Sequence, residues 1–148
     1  MKILVDADSC PRAVRELTLR RAAKLGLRVI FAANRPIPGA EGAEMEICPA
    51  GDNAADDRIV ELAESGDLAI TRDVPLAKRL VEKDALVVDD RGRVFTANNI
   101  NELLSMRNFV VGLADNGLEI ERTANYGKKE LKTFADSFDR ILAQRPKS

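Results

Sequence analysis

The sequence predicts an α/β protein of three layers, with helices on both faces of a mostly parallel central sheet in the strand order 3-2-1-4-5. Two observations carry this. Apolar runs of strand length alternate with stretches of helical periodicity in the order βαββαβαβ, which right-handed crossovers fold into a parallel sheet. The chain has 148 residues, 45% of them hydrophobic and 32% charged, enough for one well-cored domain and too few for two comfortable ones. A single domain over 1–148 is therefore expected, and no repeat or linker divides it.

The elements follow in order. KILVD (2–6) is a short apolar run suited to a buried strand. PRAVRELTLRRAAKLG (11–26) places Val14, Leu17, Thr18, Arg21 and Leu25 at helical spacing between Pro11 and Gly26, the expected start and stop residues. RVIFAAN (28–34) reads as a second strand, RPIPGAEGA (35–43) as a loop and EMEICP (44–49) as a third strand. A helix is expected from about Asn53 to Ser65 with Ile59, Leu62 and Ala63 inward. DLAIT (67–71) is a fourth strand, and VPLAKRLVEK (74–83) a helix that buries Leu76, Leu80 and Val81. ALVVDD (85–90) is a fifth strand, followed at Arg91-Gly92 by a turn that suits a small hairpin. The last two helices, 98–117 and 128–144, carry Leu103, Leu104 and Met106 in one apolar set and Leu131, Phe134, Phe138, Ile141 and Leu142 in the other.

Composition limits the chemistry. The net charge of −1 speaks against a uniformly basic nucleic-acid coat, although a local basic patch survives such an average. No apolar stretch approaches the roughly 18 residues of a membrane span, and the N-terminus has no secretory-signal pattern. A cytoplasmic protein with no membrane partner is expected. The chain contains no histidine, which excludes Ser/His/Asp and Cys/His catalysis and His-ligated zinc. Cys10 and Cys48 leave strands on either side of a third, too far apart to bridge, and are expected as reduced thiols. Cys10, near a helix start, is also a candidate for a lowered pKa. Acid-base or metal chemistry must come from carboxylates.

In open α/β sheets ligands bind beyond the carboxyl ends of the strands, where the strand order reverses. Asp6 and Asp8 leave the first strand at that edge, Asp73 leaves the fourth, and Asp56 and Asp57 occupy the first turn of the helix after the third. In the order 3-2-1-4-5, Asp6 and Asp73 face each other across one strand spacing, roughly 5 Å. Like charges so close repel and raise each other's pKa, and hard oxygen ligands without His or Cys select Mg²⁺ or Mn²⁺. Two such ions roughly 4 Å apart support phosphodiester hydrolysis. Arg12, Arg15 and Arg72 start from the same edge and are candidates for phosphate contacts. Asn34 is a further candidate, as, on looser grounds, are Asn98, Asn99, Tyr126 and Lys128. With 4% aromatic residues, backbone recognition is favoured over base stacking.

The stretches VDADSCP, CPAGDNAADDRIV, GDLAITRDVPLA, RGRVFTANNI and FADSFDR together resemble the YaiI/YqxD family of bacterial proteins, whose fold is similar to that of PIN-domain nucleases. The resemblance covers nearly the whole chain, in five ordered motifs. It implies a PIN-like fold and metal-dependent cleavage of single-stranded RNA, with Asp6, Asp56 or Asp57, and Asp73 as metal-binding and catalytic acids and Asp8 assisting. Where such relatives read G-x-D-x-A-D-D, this chain has Asp52 and Asn53.

Structural roles compete for each acid. Asp8 and Asp73 are placed to cap helices, Asp56 and Asp57 to complement a helix dipole, and Asp89 and Asp90 to build a turn. Asp6 alone ends a buried strand with nothing to cap. Two other functions compete as well. Asp-x-Asp after a first strand also opens haloacid-dehalogenase-like phosphatases, in which Asp6 is the nucleophile. That family places Ser or Thr after the second strand, where this chain has Ala32, Ala33 and Asn34. A non-catalytic RNA-binding module of the same fold is the third reading.

Overall fold

Ile3, Leu4 and Val5 are each at most 1% exposed, which a strand achieves only with cover on both faces. In the computed structural model, which describes residues 1–49, 53–115 and 126–145, that strand is β1 (Lys2–Asp6) at the middle of the sheet. β2 (Arg28–Ala33) and β4 (Leu68–Ile70) flank it in parallel, and β3 (Glu44–Ile47) and β5 (Leu86–Val88) follow outward, also parallel. β6 (Val94–Phe95) closes one edge antiparallel to β5. The order is β3-β2-β1-β4-β5-β6, so the expected order holds and the Arg91-Gly92 hairpin adds a sixth strand to it.

Alternation along the strands divides the core into two layers. Ile3, Val5, Val29 and Phe31 point to one face, where α1 (Arg12–Leu25) and α5 (Lys128–Ala143) bring Val14, Leu17, Phe134 and Phe138. Leu4, Ile30 and Ala69 point to the other, where α2 (Ala54–Leu62) and α3 (Val74–Glu82) bring Ile59, Leu76 and Leu80. α4 (Ile100–Asp115) joins this second layer through Ile100 and Leu103 and packs on α3. Phe134 and Phe138 stack with ring centroids 5.2 Å apart.

Element ends depart from the sequence expectation for local reasons. α2 stops at Leu62 rather than Ser65, because Ala63 is extended and the Asp67 carboxylate takes the Glu64 N–H at 2.9 Å. α1 closes on Gly26 in the left-handed region, φ 67°, as the sequence suggested. Leu25 is 39% exposed and Met106 58% exposed, so neither belongs to the buried stripe expected of its helix. Asn116 and Gly117, expected to extend α4, and Asp52, singled out before α2, lie outside the described residues.

Asp67 and Lys2 bind the opposite end of the sheet. The Lys2 ammonium and backbone N–H reach Asp67 at 2.5 and 3.1 Å. Burial acts to raise the Asp67 pKa, but the bonds from Lys2 and Glu64 outweigh it and hold the carboxylate below its ordinary range.

Gly92 is the position where backbone freedom matters most. Its φ is 86°, and a Cβ there would stand 2.6 Å from the Thr133 carbonyl oxygen and 2.9 Å from Ser137 Oγ, which itself donates to the Gly92 carbonyl at 2.7 Å. α5 is thus seated directly on the β5–β6 turn. Gly92→Ala should cost about 3 kcal/mol through left-handed strain and overpacking, whereas Gly39→Ala, at φ 74° in open space, should cost about 1 kcal/mol. Urea denaturation of the two variants distinguishes them; equal losses would contradict the close α5 contact.

Candidate active site

β1 ends at Asp6, and the chain turns through a short 3-10 segment, Ala7–Ser9, before Pro11 opens α1. Asp6 is only 8% exposed, so its charge needs partners. Thr71 Oγ1 donates to Asp6 Oδ2 at 3.0 Å and Ser9 Oγ donates to the same oxygen at 3.2 Å. Burial raises the Asp6 pKa, the two hydroxyls pull it back, and the charges of Asp73 and Asp8 raise it again; the net direction is up.

The neighbour of Asp6 corrects the sequence reading. Val5 registers with Ile70, so the residue beside Asp6 one step on is Thr71, and Asp73 lies two residues beyond. The Thr71 hydroxyl accepts the Asp73 N–H at 3.1 Å, while Asp73 Oδ1 caps α3 by accepting the Leu76 N–H at 3.1 Å. Asp73 therefore caps a helix and adds its charge to the Asp6 environment at once. Asp8 Oδ2 accepts the Asn34 N–H at 2.7 Å, tying the exit of β1 to the exit of β2.

These residues line an open cleft of about 590 Å³ at the carboxyl ends of β1, β2 and β4. Asp6, Asp8, Asp56 and Asp73 supply its carboxylates, Asn34 and Asn53 its amides, and Arg72 and Arg107 its cations. Asp56 sits in the first turn of α2, where the left-handed Asn53 (φ 65°) starts the helix. Burial first, then the charges of Asp73 and Asp6, push its pKa up to about 6. Asp57 leans away and pairs with Arg79 of α3 at 2.9 Å.

Other candidates fall elsewhere. Arg12 is exposed and pairs with Glu16 at 2.8 Å. Arg15 stands near Cys10, whose thiol burial pushes up to about 12 despite the Arg15 charge. Cys10 thus has the opposite shift to that of a reactive thiol, and Cys10 and Cys48 are both free. Asn99 bonds Thr96 and Val94 at the start of α4, Asn98 and Lys128 are exposed, and the Tyr126 hydroxyl donates to the Asp90 carbonyl at 2.6 Å.

Asp89 is the turn residue foreseen, accepting the Arg91 and Arg93 N–H groups at 2.9 Å each. Asp90 belongs to the same turn, but it is also 6% exposed and lines a small recess with Asp6, Ser9, Cys10, Thr71 and Arg72. Burial and then Asp89 raise its pKa, while Arg72 and Arg91 lower it. Sequence reasoning missed Thr71 and Arg107. A polar residue directly after the apolar run of β4 was the available signal for Thr71; Arg107 had none, because it sits mid-helix among apolar neighbours.

Among the described residues no group of three or more carboxylates or thiols lies in metal-holding geometry. The donor chemistry nevertheless suits a hard cation. No hydrogen bond among the described residues engages Asp6 Oδ1, Asp73 Oδ2 or either oxygen of Asp56, so three half-buried or buried carboxylates share the cleft with an oxygen each to spare.

Residues 4–144 match the family described as uncharacterized BCR, YaiI/YqxD. The chain belongs to the YaiI/YqxD family. It is 51% identical over 144 residues to the UPF0178 protein of Treponema denticola, covering 97% of this chain and 93% of the relative. It is 46% identical over 147 residues to that of Treponema pallidum, covering 97% and 82%. The UPF0178 protein PA5247 of Pseudomonas aeruginosa is 42% identical over 146 residues, with 97% and 91% covered. No solved structure matches the chain. No helix among the described residues is long and apolar enough to cross a membrane.

The raised Asp56 pKa has a sign that can be checked. An acid titrating near 6 when folded and near 3.9 when unfolded destabilises the fold fully above about pH 6 and not at all below about pH 4. Asp56→Asn should therefore raise the melting temperature at pH 7, with the gain shrinking to nothing as the pH falls through that window. A gain that is constant with pH would mean that Asp56 carries no such strain.

Proposed function

We propose that this YaiI/YqxD family member is a single PIN-like domain over 1–148 that hydrolyses phosphodiester bonds of single-stranded RNA with the help of Mg²⁺ or Mn²⁺. The observation that carries this reading is the cleft that gathers Asp56, Asp6 and Asp73, in which burial first, and then the charges of Asp73 and Asp6, push Asp56 up to about 6. Unrelieved repulsion in a folded site is a cost that functional sites characteristically accept.

Asp6, Asp56 and Asp73 would hold the cation, with Asp8 beside them; when bound, it would supply a Lewis acid and a water of lowered pKa. The chain's own residues do the rest. Thr71 and Ser9 fix the Asp6 carboxylate through one oxygen and leave the other toward the cleft. The α3 cap fixes Asp73 in the same manner. Arg72, beside Asp73, offers a guanidinium to the anionic oxygens of a phosphodiester, where charge builds during attack. Asn34, whose backbone Asp8 holds, offers an amide at the other wall.

Calorimetric titration of Mn²⁺ into wild type and Asp6→Asn, beside cleavage of labelled single-stranded RNA, tests the proposal. Wild type should bind and cleave, and Asp6→Asn should lose the heat and slow cleavage by about 100-fold or more. A folded wild type that takes up no Mn²⁺ and leaves the RNA intact would overturn it.

A further inference from the structure

Arg107 is the contribution of α4 to the cleft. Four carboxylates line the same cleft, yet neither Arg107 nor Arg72 has a carboxylate within ion-pair distance among the described residues. The Arg107 guanidinium donates to the side-chain oxygen of its neighbour Asn108 at 3.1 Å. Two cations are thus left available on the acidic cleft's own walls, on different helices or helix starts. α4 packs on α3, and Asp73 caps α3, so Arg107 is carried by an element held against the one that orders the acidic residues.

One phosphodiester carries one negative charge, and Arg72, adjacent to Asp73, is the cation placed to meet it. A second guanidinium reaching in from α4 suits a second anion, because planar guanidinium forks match phosphate oxygens in pairs. We propose that Arg107 is a substrate-positioning residue that holds a phosphate neighbouring the scissile one, so that the site takes an oligonucleotide strand in preference to a mononucleotide or a phosphomonoester. The inference rests on the hydrolytic reading of the same cleft and adds the residue that holds the neighbouring phosphate.

Binding separates the two ideas. Fluorescence anisotropy of a labelled phosphorothioate oligoadenylate of about ten nucleotides, a length within the span of single-strand sites, is followed in Mn²⁺ across a salt series. KM and kcat on the cleavable RNA are measured in parallel. Arg107→Ala should weaken binding about tenfold, flatten the log affinity against log salt slope by about 0.7 and raise KM with little change in kcat. Arg20→Ala, an exposed arginine of α1, should change none of these, and AMP affinity should be the same in all three proteins. Binding by Arg107→Ala equal to wild type, a matching loss in Arg20→Ala, or no binding by wild type would each overturn the clamp. Wild type that binds but never cleaves, with Arg107→Ala weaker, would keep the clamp and remove the hydrolysis.

Discussion

A carboxylate at the end of a fully buried strand is the constraint around which the rest of this protein is arranged. Asp6 follows Ile3, Leu4 and Val5 out of the core with almost no exposure, and ionising it there is tolerable only because two hydroxyls donate to one of its oxygens. Those donors come from different places. Ser9 belongs to the turn that Asp6 itself begins, while Thr71 arrives on β4, sixty-five positions away. The Thr71 hydroxyl also accepts the Asp73 amide, so one side chain joins the central strand, the neighbouring strand and the cap of α3.

Charge in the cleft is deliberately unbalanced by comparison with the surface. On the surface, several acids and arginines pair, as Arg28 with Glu44 and Arg58 with Glu46. Within the cleft burial, and then the charges of neighbouring carboxylates, raise the pKa of Asp6 and Asp56, and Arg72 and Arg107 close no ion pair among the described residues. The charge on Asp56 destabilises the fold above about pH 6, a cost that a site selected for binding accepts and one selected for rigidity does not.

Much of this was readable in the chain and some was not, for identifiable reasons. The strand order followed from alternating short apolar runs and helical segments, and the edge that gathers Asp6, Asp8, Asp56 and Asp73 followed from the order. Register was less accessible: the sequence suggests that Asp6 and Asp73 face each other, whereas Val5 pairs with Ile70 and Thr71 takes that place. A shift of two residues changes no hydrophobic pattern, because strand periodicity is two. Asp56 and Asp57 are indistinguishable by sequence, since both fall in the first helical turn; the Arg79 of α3 separates them by drawing Asp57 aside. Asp90 sits in the turn as the sequence suggests, but its burial beside Asp6 and Arg72 has no signal in the sequence. Arg107 was hidden because a helix face is assigned from its apolar residues, and α4 leaves Met106, Phe109 and Val110 exposed.

The seating of α5 on Gly92 bears on the order in which the molecule can be made. Phe134 and Phe138 complete the layer that covers Ile3 and Val5, so β1 is matched with a helix that leaves the ribosome well over a hundred residues after it. Until α5 emerges, one face of the central sheet has only α1 over it, and the turn after Asp90 has nothing to lean on. Long-range contacts of this kind slow folding and leave apolar surface uncovered during synthesis. The acidic cleft, hung from the end of that same strand, is thereby withheld from its final shape until α5 has been made.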